Sequence, residues 1–369
     1  MKVPLVDLGR QHALIRDEVM SGLTDVMMST SFIGGEDVGR FERAFAEFSG
    51  VAHCVGVGSG TDALEIAVRV LGLRAGDQVI VPANSFIASA LAVIRAGVDV
   101  VLVDCVPDTY LIDVDAVAQA VGPRTKAIMP VHLFGQMAPV EAIEGVARGI
   151  PIIEDSAQSQ GASRYSRPSG SVGAVAGVSF YPGKNIGAYG DAGAVLTQDA
   201  TFAEKVRAMA NWGSDEKYHH PVLGFNSRLD TIQAVVLSAK LAHLDAWNKQ
   251  RSAAAEVYDL HFKEEPSVVL PATASGNEHV WHLYVVRVPN RDQVLSDLHD
   301  RGVGAGIHYP VPMHLQGALA HLGHAKGDFP VTESAAQEML SLPLFPGMTE
   351  SEQAFVIDAF HNALRSANR

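Results

Sequence analysis

The sequence is poor in cysteine, with only Cys54 and Cys105 among its 369 residues. Each lies within an apolar run, where a cysteine usually behaves as a small buried hydrophobe. A disulfide framework of the kind that stabilises small secreted proteins is therefore excluded. Basic residues are also scarce, because 28 Lys and Arg face 41 Asp and Glu and the net charge is −13. This balance argues against a nucleic-acid partner, which would require clustered positive charge.

Long apolar segments are absent as well. The most apolar stretch, residues 79–106, is interrupted by Pro82, Arg95 and Asp99, so we expect no membrane-spanning helix. The N-terminal segment MKVPLVDLGRQ contains charges and a proline where a signal peptide would have its apolar region. We therefore expect a cytoplasmic protein that does not bind membranes.

Short apolar segments alternate with helical patterns from about residue 50. The predicted strands are residues 53–57, 78–82, 99–104, 126–132 and 151–155. Continuous apolar strands between helices indicate an α/β fold with a mostly parallel sheet that is covered on both faces. Beyond residue 245 the pattern changes to one alternating strand, WHLYVVRV, followed by amphipathic helices. We expect a large α/β domain over residues 1–245 and a smaller α+β domain over residues 246–369.

Ligands of parallel sheets bind beyond the carboxyl ends of the strands. In this sequence, that rule selects residues 58–61, residues 84–86, His132 and residues 155–158. Asp155 ends the apolar run PIIED, so its carboxylate is expected at the ligand-binding edge. The alternative is that Asp155 only caps a helix.

Lys184 lies in the glycine-rich segment SFYPGKNIGAYGDAG, which indicates a tight turn. Such a lysine could bind phosphate, form a covalent bond to a carbonyl compound, or simply lie at the surface. A P-loop does not fit, because five residues separate Gly177 from Gly183 and Asn185 stands where Ser or Thr would bind magnesium. Asp155 lies 29 residues before the lysine. An aspartate on the ring nitrogen and a lysine that carries the cofactor are the usual protein contribution to pyridoxal-phosphate chemistry.

The segment GVGSGTDALEIA predicts a third part of a site. Its small residues would let backbone amides approach an anion, and Thr61 would open a helix whose N-terminus favours negative charge. A phosphate group would fit there, although the segment could also be a simple strand-to-helix turn. It lacks the G-x-G-x-x-G pattern of dinucleotide-binding proteins.

Several motifs together resemble the DegT/DnrJ/EryC1/StrS aminotransferases. They are GSGTDALEIA, VPANSFIASALAV, PVHLFGQ, IEDSAQSQGA, SFYPGKNIGAYGDAGAV, YHHPVLGFNSRLDTIQAVVL and GIHYPVPMHLQ, which occur in this order between VPLVDL and SLPLFP. Members of this family are fold-type I enzymes that use pyridoxal 5'-phosphate and act on nucleotide-linked sugars. The resemblance therefore implies a fold-type I α/β transferase with this cofactor.

The resemblance also implies roles for single residues. Lys184 would be the lysine that carries the cofactor and Asp155 the partner of its pyridine nitrogen, and these two are the implied catalytic residues. Phe86 would stack on the pyridine ring and Gln158 would contact its hydroxyl group. The remaining implied cofactor residues are Gly60, Thr61, Ser179 and Asn226, all at phosphate-binding positions.

Asn226 would reach the cofactor phosphate of a neighbouring subunit, so the resemblance implies a homodimer with shared active sites. Arg228 would help at that phosphate or bind the diphosphate of the substrate. The other implied substrate-binding residues are Tyr181, His308 and Tyr309. His219 and His220 would lie near the sugar or be ordinary surface residues, and we predict no metal site.

The expected reaction is transamination, because Lys184 is present where dehydratase relatives have histidine. The resemblance implies L-glutamate as donor and a nucleotide-linked keto-sugar as acceptor in amino-sugar biosynthesis. We rank a dTDP-3-keto-6-deoxyhexose first, a UDP-linked 3-keto hexuronate second and a 4-keto sugar third. One alternative function is an NAD-dependent sugar-nucleotide oxidoreductase, which would leave Lys184 without a role. Another is a non-catalytic regulator that keeps the cofactor fold.

Overall fold

The structure is a computed structural model that describes residues 1–367. The helices of these residues are α1 (Leu8–Ser29), α2 (Glu36–Phe48), α3 (Gly60–Val70), α4 (Ala88–Arg95), α5 (Val114–Ala120), α6 (Val140–Ala147), α7 (Ala200–Ala210), α8 (Thr231–Leu241), α9 (Leu244–Phe262), α10 (Arg291–Asp300), α11 (Pro330–Glu338) and α12 (Glu350–Ala367). The strands are β1 (His53–Val57), β2 (Gln78–Pro82), β3 (Asp99–Val103), β4 (Thr125–Ile128), β5 (Ile153–Asp155), β6 (Ser163–Arg164), β7 (Arg167–Pro168), β8 (Val175–Ser179), β9 (Gly193–Thr197), β10 (Asn277–Glu278), β11 (Tyr284–Arg287) and β12 (Met339–Leu342). None of these helices is both long and apolar enough to cross a membrane.

The strands β1–β5, β8 and β9 are joined into one arrangement. Strands β3, β2 and β4 pair in parallel, and β5, β8, β9 and β1 pair in that order. Parallel bridges from Ile128 to Ile152 and from Val131 to Asp155 join the two sets. Only β9 runs antiparallel to its neighbours, β8 and β1. The prediction of an α/β fold with a mostly parallel sheet is therefore confirmed.

Strands β8 and β9 are missing from the sequence prediction, and their composition explains why. Their sequences, VAGVS and GAVLT, are rich in small residues with weak strand propensity. The small residues are needed because helix α3 packs directly on these strands. A Cβ atom at Gly177 of β8 would lie 2.6 Å from Leu64 Cδ2 of α3. Close packing of this helix brings its N-terminus to the carboxyl end of β8.

The C-terminal part has a core of its own. Its antiparallel pair β11–β12 packs with α9, α10 and α12 around buried residues such as Tyr258, Tyr284 and Phe360. Val3 joins the same core through a bridge to Val303, so the first residues of the chain belong to it. Helix α9 runs across the expected boundary at residue 245, and the division into two domains stays a prediction.

Candidate active site

A cavity of about 570 Å³ lies at the carboxyl ends of β5 and β8. Its wall is formed by the N-termini of α3 and α4, the turn after β8 and residues before β11. Ten of the twelve predicted site residues line it, namely Gly60, Thr61, Phe86, Asp155, Gln158, Ser179, Tyr181, Lys184, His308 and Tyr309. Their positions along the chain differ by up to 249 residues (309 − 60), and the sheet edge brings them together.

Asp155 is the buried carboxylate of the cavity. It ends β5 and is 3% exposed. Ser89 of α4 donates its hydroxyl hydrogen to Oδ2 at 2.7 Å, and the Ala157 amide donates to Oδ1 at 3.2 Å. Burial raises the pKa of Asp155, and these two hydrogen bonds and the positive charge of Lys184 oppose that rise. Both carboxylate oxygens are thus held in place by the protein.

Lys184 lies on the tight turn that the glycine-rich sequence predicts. Its backbone amide donates to the Tyr181 carbonyl at 2.8 Å. The turn closes at Gly187, where a Cβ atom would collide with the Pro182 carbonyl oxygen. Lys240 of α8 donates from Nζ to the Gly187 carbonyl at 2.5 Å and fastens the turn to that helix. Burial lowers the pKa of Lys184 to about 8, with Asp155 acting in the opposite direction. A sizeable fraction of this amine is therefore neutral near pH 8 and able to act as a base.

The N-terminus of α3 opens into the cavity. Ser59 caps the helix by accepting the Asp62 amide on its Oγ at 3.1 Å. The first amides of a helix have no acceptor within the helix, so those of Gly60 and Thr61 remain available to a ligand. A Cβ atom at Gly60 would lie 2.6 Å from Ser179 Cβ, so only glycine allows this approach of α3 to β8. The result is a cradle of backbone amides beside the hydroxyl group of Ser179.

Gln158 and Tyr309 form a hydrogen-bonded pair in the cavity wall. The Phe134 amide donates to Gln158 Oε1 at 2.7 Å, which fixes the orientation of the side chain. Gln158 Nε2 then donates to the Tyr309 hydroxyl oxygen at 3.0 Å. Burial raises the pKa of Tyr309 to about 12, so the phenol keeps its proton and can donate it to a ligand. The ring of Phe86, which is 53% exposed, lies 5.5 Å from that of Tyr309.

Asn226 and Arg228 do not line the cavity of their own chain. Arg228 donates to Asn226 Oδ1 at 2.9 Å and stacks on Trp212, with its guanidinium carbon 4.2 Å from the ring centre. His219 and His220 are exposed, and His220 Nδ1 lies 3.0 Å from the carbonyl oxygen of Trp212. A single chain therefore brings none of these four residues to Lys184.

His132, the last residue of a predicted strand, is not a cavity residue. It is fully buried, and its Nε2 lies 2.8 Å from Glu154. Its Nδ1 accepts the Ala138 amide, so the ring proton is on Nε2 and points to the carboxylate. Burial alone would raise the pKa of Glu154, but the bonds from His132 and the loop amides of Gly170 and Gly173 lower it. This pair joins two loops beneath Asp155 and has a structural role.

Sequence reasoning missed three polar residues that line the cavity. Ser89 lies three residues after Phe86 at the start of a helical pattern, and this spacing could have placed both at one helix end. Asp191 lies within the glycine-rich motif, where its position looks like that of an ordinary turn residue. His282 belongs to the segment WHLYVVRV, where it looks like one position of an ordinary strand.

Comparisons with known proteins agree with this geometry. Residues 13–361 match the DegT/DnrJ/EryC1/StrS aminotransferase family. A relative from Geobacillus stearothermophilus named "Pleiotropic regulatory protein" is 44% identical over 97% of each chain. A dTDP-3-amino-3,4,6-trideoxy-alpha-D-glucose transaminase from Streptomyces venezuelae is 43% identical over 97% of this chain and 95% of that protein. The crystal structure of S. venezuelae DesV in complex with a ketimine intermediate has a TM-score of 0.96 at 42% identity, and covers 100% of this chain and 99% of that one. The chain belongs to the DegT/DnrJ/EryC1/StrS aminotransferase family.

Proposed function

We propose that the chain is a pyridoxal-5'-phosphate-dependent aminotransferase that moves an amino group from L-glutamate to a nucleotide-linked 3-keto sugar. The observation that carries the proposal is that one cavity joins the amine of Lys184, the carboxylate of Asp155 and the open N-terminus of α3. A second cofactor class, a nicotinamide dinucleotide, would leave Lys184 and the buried Asp155 without a role.

The groups that line the cavity fit pyridoxal phosphate in three respects. The amides of Gly60 and Thr61 and the hydroxyl of Ser179 offer donors to a phosphate group, and the helix N-terminus favours its charge. The carboxylate of Asp155 offers an acceptor for a protonated ring nitrogen. The exposed ring of Phe86 provides a stacking surface. When bound, this cofactor supplies an electron-withdrawing ring that stabilises negative charge at a carbon from which a proton is removed.

Lys184 is the group that moves protons in this proposal. Its amine would remove the proton from the α-carbon of the amino donor and return it to the cofactor carbon on the other side of the amino nitrogen, as a general acid and base. The burial that lowers its pKa to about 8 makes the neutral, basic form accessible near neutral pH. Asp155 would keep the ring nitrogen protonated, because its carboxylate oxygens are fixed by Ser89 and Ala157.

For the acceptor we propose a dTDP-linked 3-keto-6-deoxyhexose. Support comes from the Streptomyces venezuelae relative, whose name specifies a dTDP-3-amino sugar. Tyr309 can donate its hydroxyl hydrogen, and His308 is a half-buried neutral imidazole, because desolvation lowers its pKa to about 4. We propose both as sugar contacts and Tyr181, which is 59% exposed at the cavity rim, as a further substrate contact. The cytoplasmic location stays a prediction.

We also propose a homodimer with shared active sites. Large apolar side chains are exposed on α1, including Met28 at 81%, and on the loop of residues 211–226, including Tyr218 at 85% and Leu223 at 95%. Exposed apolar surface of this extent is typical of an interaction site. Asn226 lies at the end of the same loop and Arg228 stacks on its Trp212, and neither lines the cavity of its own chain. We propose that they contact the cofactor phosphate or the substrate diphosphate in the active site of the partner subunit.

The test is to incubate the purified chain with pyridoxal phosphate, L-glutamate and a dTDP-3-keto-6-deoxyhexose. Mass spectrometry should detect the aminated sugar nucleotide together with 2-oxoglutarate, and Lys184→Ala should produce neither. UDP-linked 3-keto hexuronate and 4-keto sugars, tested in parallel, decide the order of substrates. Failure to convert glutamate with any acceptor would contradict the enzyme assignment and favour a regulatory function, which the name of the Geobacillus stearothermophilus relative describes.

A further inference from the structure

His282 is a cavity residue whose ring is anchored from one side only. It lies just before β11, lines the cavity and is 8% exposed. Its Nδ1 is 3.2 Å from Oδ1 of Asn185, the residue that follows Lys184. Its Nε2 makes no hydrogen bond within residues 1–367 and remains open to the cavity. The imidazole is thus attached to the lysine turn while its second nitrogen faces the ligand space.

The hydrogen bonds of Asn185 determine which nitrogen of His282 carries the proton. Asn185 Nδ2 lies 2.9 Å from the Val280 carbonyl oxygen and 2.8 Å from Asn248 Oδ1. A carbonyl oxygen can only accept a hydrogen bond, so the Asn185 atom next to the Val280 carbonyl must be the nitrogen of its NH₂ group. The atom that faces His282 is then the amide oxygen, which also can only accept. His282 therefore donates from Nδ1.

Asn248, in turn, is held by the main chain. Its Nδ2 donates to the Gln160 carbonyl at 3.0 Å, which leaves its Oδ1 as the acceptor for Asn185. Asn185 and Asn248 are 1% and 7% exposed, so water does not compete for these bonds. The backbone carbonyls of Gln160 and Val280 therefore fix the direction of every hydrogen bond from Asn248 through Asn185 to His282.

The surroundings of His282 keep the ring neutral. Burial lowers its pKa well below the usual value, and the nearby Lys184, Arg251, His308 and His279 lower it further. Arg251 lies on α9, contacts the main chain of residue 282 with its guanidinium group, and is itself fully buried. A second proton on His282 would face this cluster of basic groups. With the single proton on Nδ1, Nε2 presents a lone pair to the cavity.

We propose that His282 is a positioning residue whose Nε2 accepts a hydrogen bond from the amine of Lys184 when the bound cofactor carries the amino group and has displaced that amine. The proposal rests on the proposed function, in which Lys184 must be free during part of the cycle. Asn185 joins the two residues, because it follows Lys184 in the turn and bonds to His282. The bond would hold the free amine on the side of the cavity where it exchanges protons.

The first test measures the ring protonation of His282 in the full chain. The protein is labelled with ¹⁵N-histidine, and the signals of His282 are assigned by comparison with His282→Asn. The expected spectrum at neutral pH shows a protonated Nδ1 and an unprotonated Nε2. A proton on Nε2, or a charged ring, overturns the proposal without any assay of turnover.

The second test measures the pKa of Lys184 in the chain loaded with pyridoxamine phosphate, the cofactor form that carries the amino group and leaves the lysine free. Trace labelling with acetic anhydride as a function of pH, followed by peptide mass spectrometry, gives this value directly. His282→Asn keeps a donor near Nδ1 but removes the acceptor near Nε2, so the pKa of Lys184 should fall by about half a pH unit, the equivalent of one net hydrogen bond. His282→Gln places an amide oxygen near Nε2 and should restore the wild-type value.

His279→Gln is the matched control, because His279 is a half-buried neutral histidine of the same segment that does not line the cavity. This variant should leave the pKa of Lys184 unchanged. An unchanged value in His282→Asn, or equal values in the Asn and Gln variants, overturns the proposal. Because labelling needs no turnover, its result is valid whichever sugar nucleotide the enzyme uses.

Kinetics of the cofactor-loaded enzyme separate this role from substrate binding. His282→Asn should lower kcat by about tenfold, the effect of one lost hydrogen bond, with KM for the sugar nucleotide unchanged. The reverse pattern, a raised KM at unchanged kcat, would place His282 on the substrate and overturn the proposal.

Discussion

A single methyl group at Gly60 should close the proposed phosphate cradle. The Cβ atom of Gly60→Ala would lie 2.6 Å from Ser179 Cβ and 3.0 Å from both Ser179 Cα and Oγ. Carbon atoms in favourable contact are about 3.5–4.0 Å apart, so α3 and β8 must separate by about 1 Å or strain their side chains. Overpacking of this kind costs about 1–3 kcal/mol. The same displacement moves the free amides of Gly60 and Thr61, so we expect cofactor affinity to fall about tenfold or more.

The assay combines two measurements. Titration with pyridoxal phosphate, followed by visible absorption, gives the affinity, and urea denaturation of the cofactor-free chain gives the free energy of unfolding. Gly145→Ala is the control, because Gly145 lies inside α6 with no atom within 4 Å of the added Cβ. That variant should gain up to about 1 kcal/mol from helix propensity and bind cofactor normally.

A second variant tests the stated contact. Ser179→Gly removes the Cβ and Oγ atoms that the methyl group of Gly60→Ala would strike. The double variant should therefore recover about 1 kcal/mol or more of the stability lost in Gly60→Ala. If Gly60→Ala keeps wild-type affinity and stability, then the close packing of α3 on β8 does not shape the phosphate cradle.

The remaining predictions concern charge and assembly. Asp155→Asn should slow glutamate turnover about a hundredfold or more while cofactor still binds, and a near-normal rate in stopped-flow measurements would exclude its role on the ring nitrogen. The rate at which the cofactor-free chain takes up pyridoxal phosphate covalently should rise about tenfold per pH unit and level off above about pH 8, the pKa of Lys184, since only the neutral amine reacts; a flat profile would argue against that pKa. Asn226→Ala should bind cofactor less tightly than the wild type. Mixing this variant with Lys184→Ala at limiting cofactor should restore about a quarter of wild-type activity, because half of the dimers are mixed and one of their two sites is intact. No gain in activity on mixing would contradict shared sites. Glu352 has its pKa lowered to about 2, chiefly by its hydrogen bond from Arg10, so its stabilisation is present above its ordinary pKa of 4.5 and is lost as pH falls through about 2. The stability advantage of the wild type over Glu352→Gln, measured by urea denaturation, should therefore shrink as the pH falls from 6 towards 2, and a constant difference would refute the linkage.

The parts of the site that sequence reasoning could predict are carried by local patterns. The apolar run before Asp155, the glycine-rich turn around Lys184 and the helix opening at Gly60 are each contained in about a dozen residues. The rule that ligands bind at the carboxyl edge of a parallel sheet then places them together. The same locality explains why strands β1–β5 and the alternating strand β11 could be recognised.

What sequence could not supply depends on packing between distant segments. The small-residue strands β8 and β9 exist because α3 covers them, and their composition alone does not favour strands. The proton position on His282 follows from contacts among Asn185, Asn248 and Val280, which come from three segments. His132 followed the strand-edge rule, yet its loop turns the side chain to Glu154 beneath the sheet edge. Strand ends thus indicate a region of the fold, while side-chain partners decide which residues face the ligand.

The visible absorption of the chain loaded with pyridoxal phosphate shows directly whether Lys184 carries the cofactor. The wild type should show a band that depends on Lys184, lose it on addition of L-glutamate, and regain it when a dTDP-3-keto-6-deoxyhexose accepts the amino group. Recovery of the band would support the enzyme class, the role of Lys184 and the proposed acceptor together. If the loaded wild type has the same spectrum as Lys184→Ala, or if glutamate leaves its band unchanged, the account of this chain as a Lys184-dependent aminotransferase is contradicted.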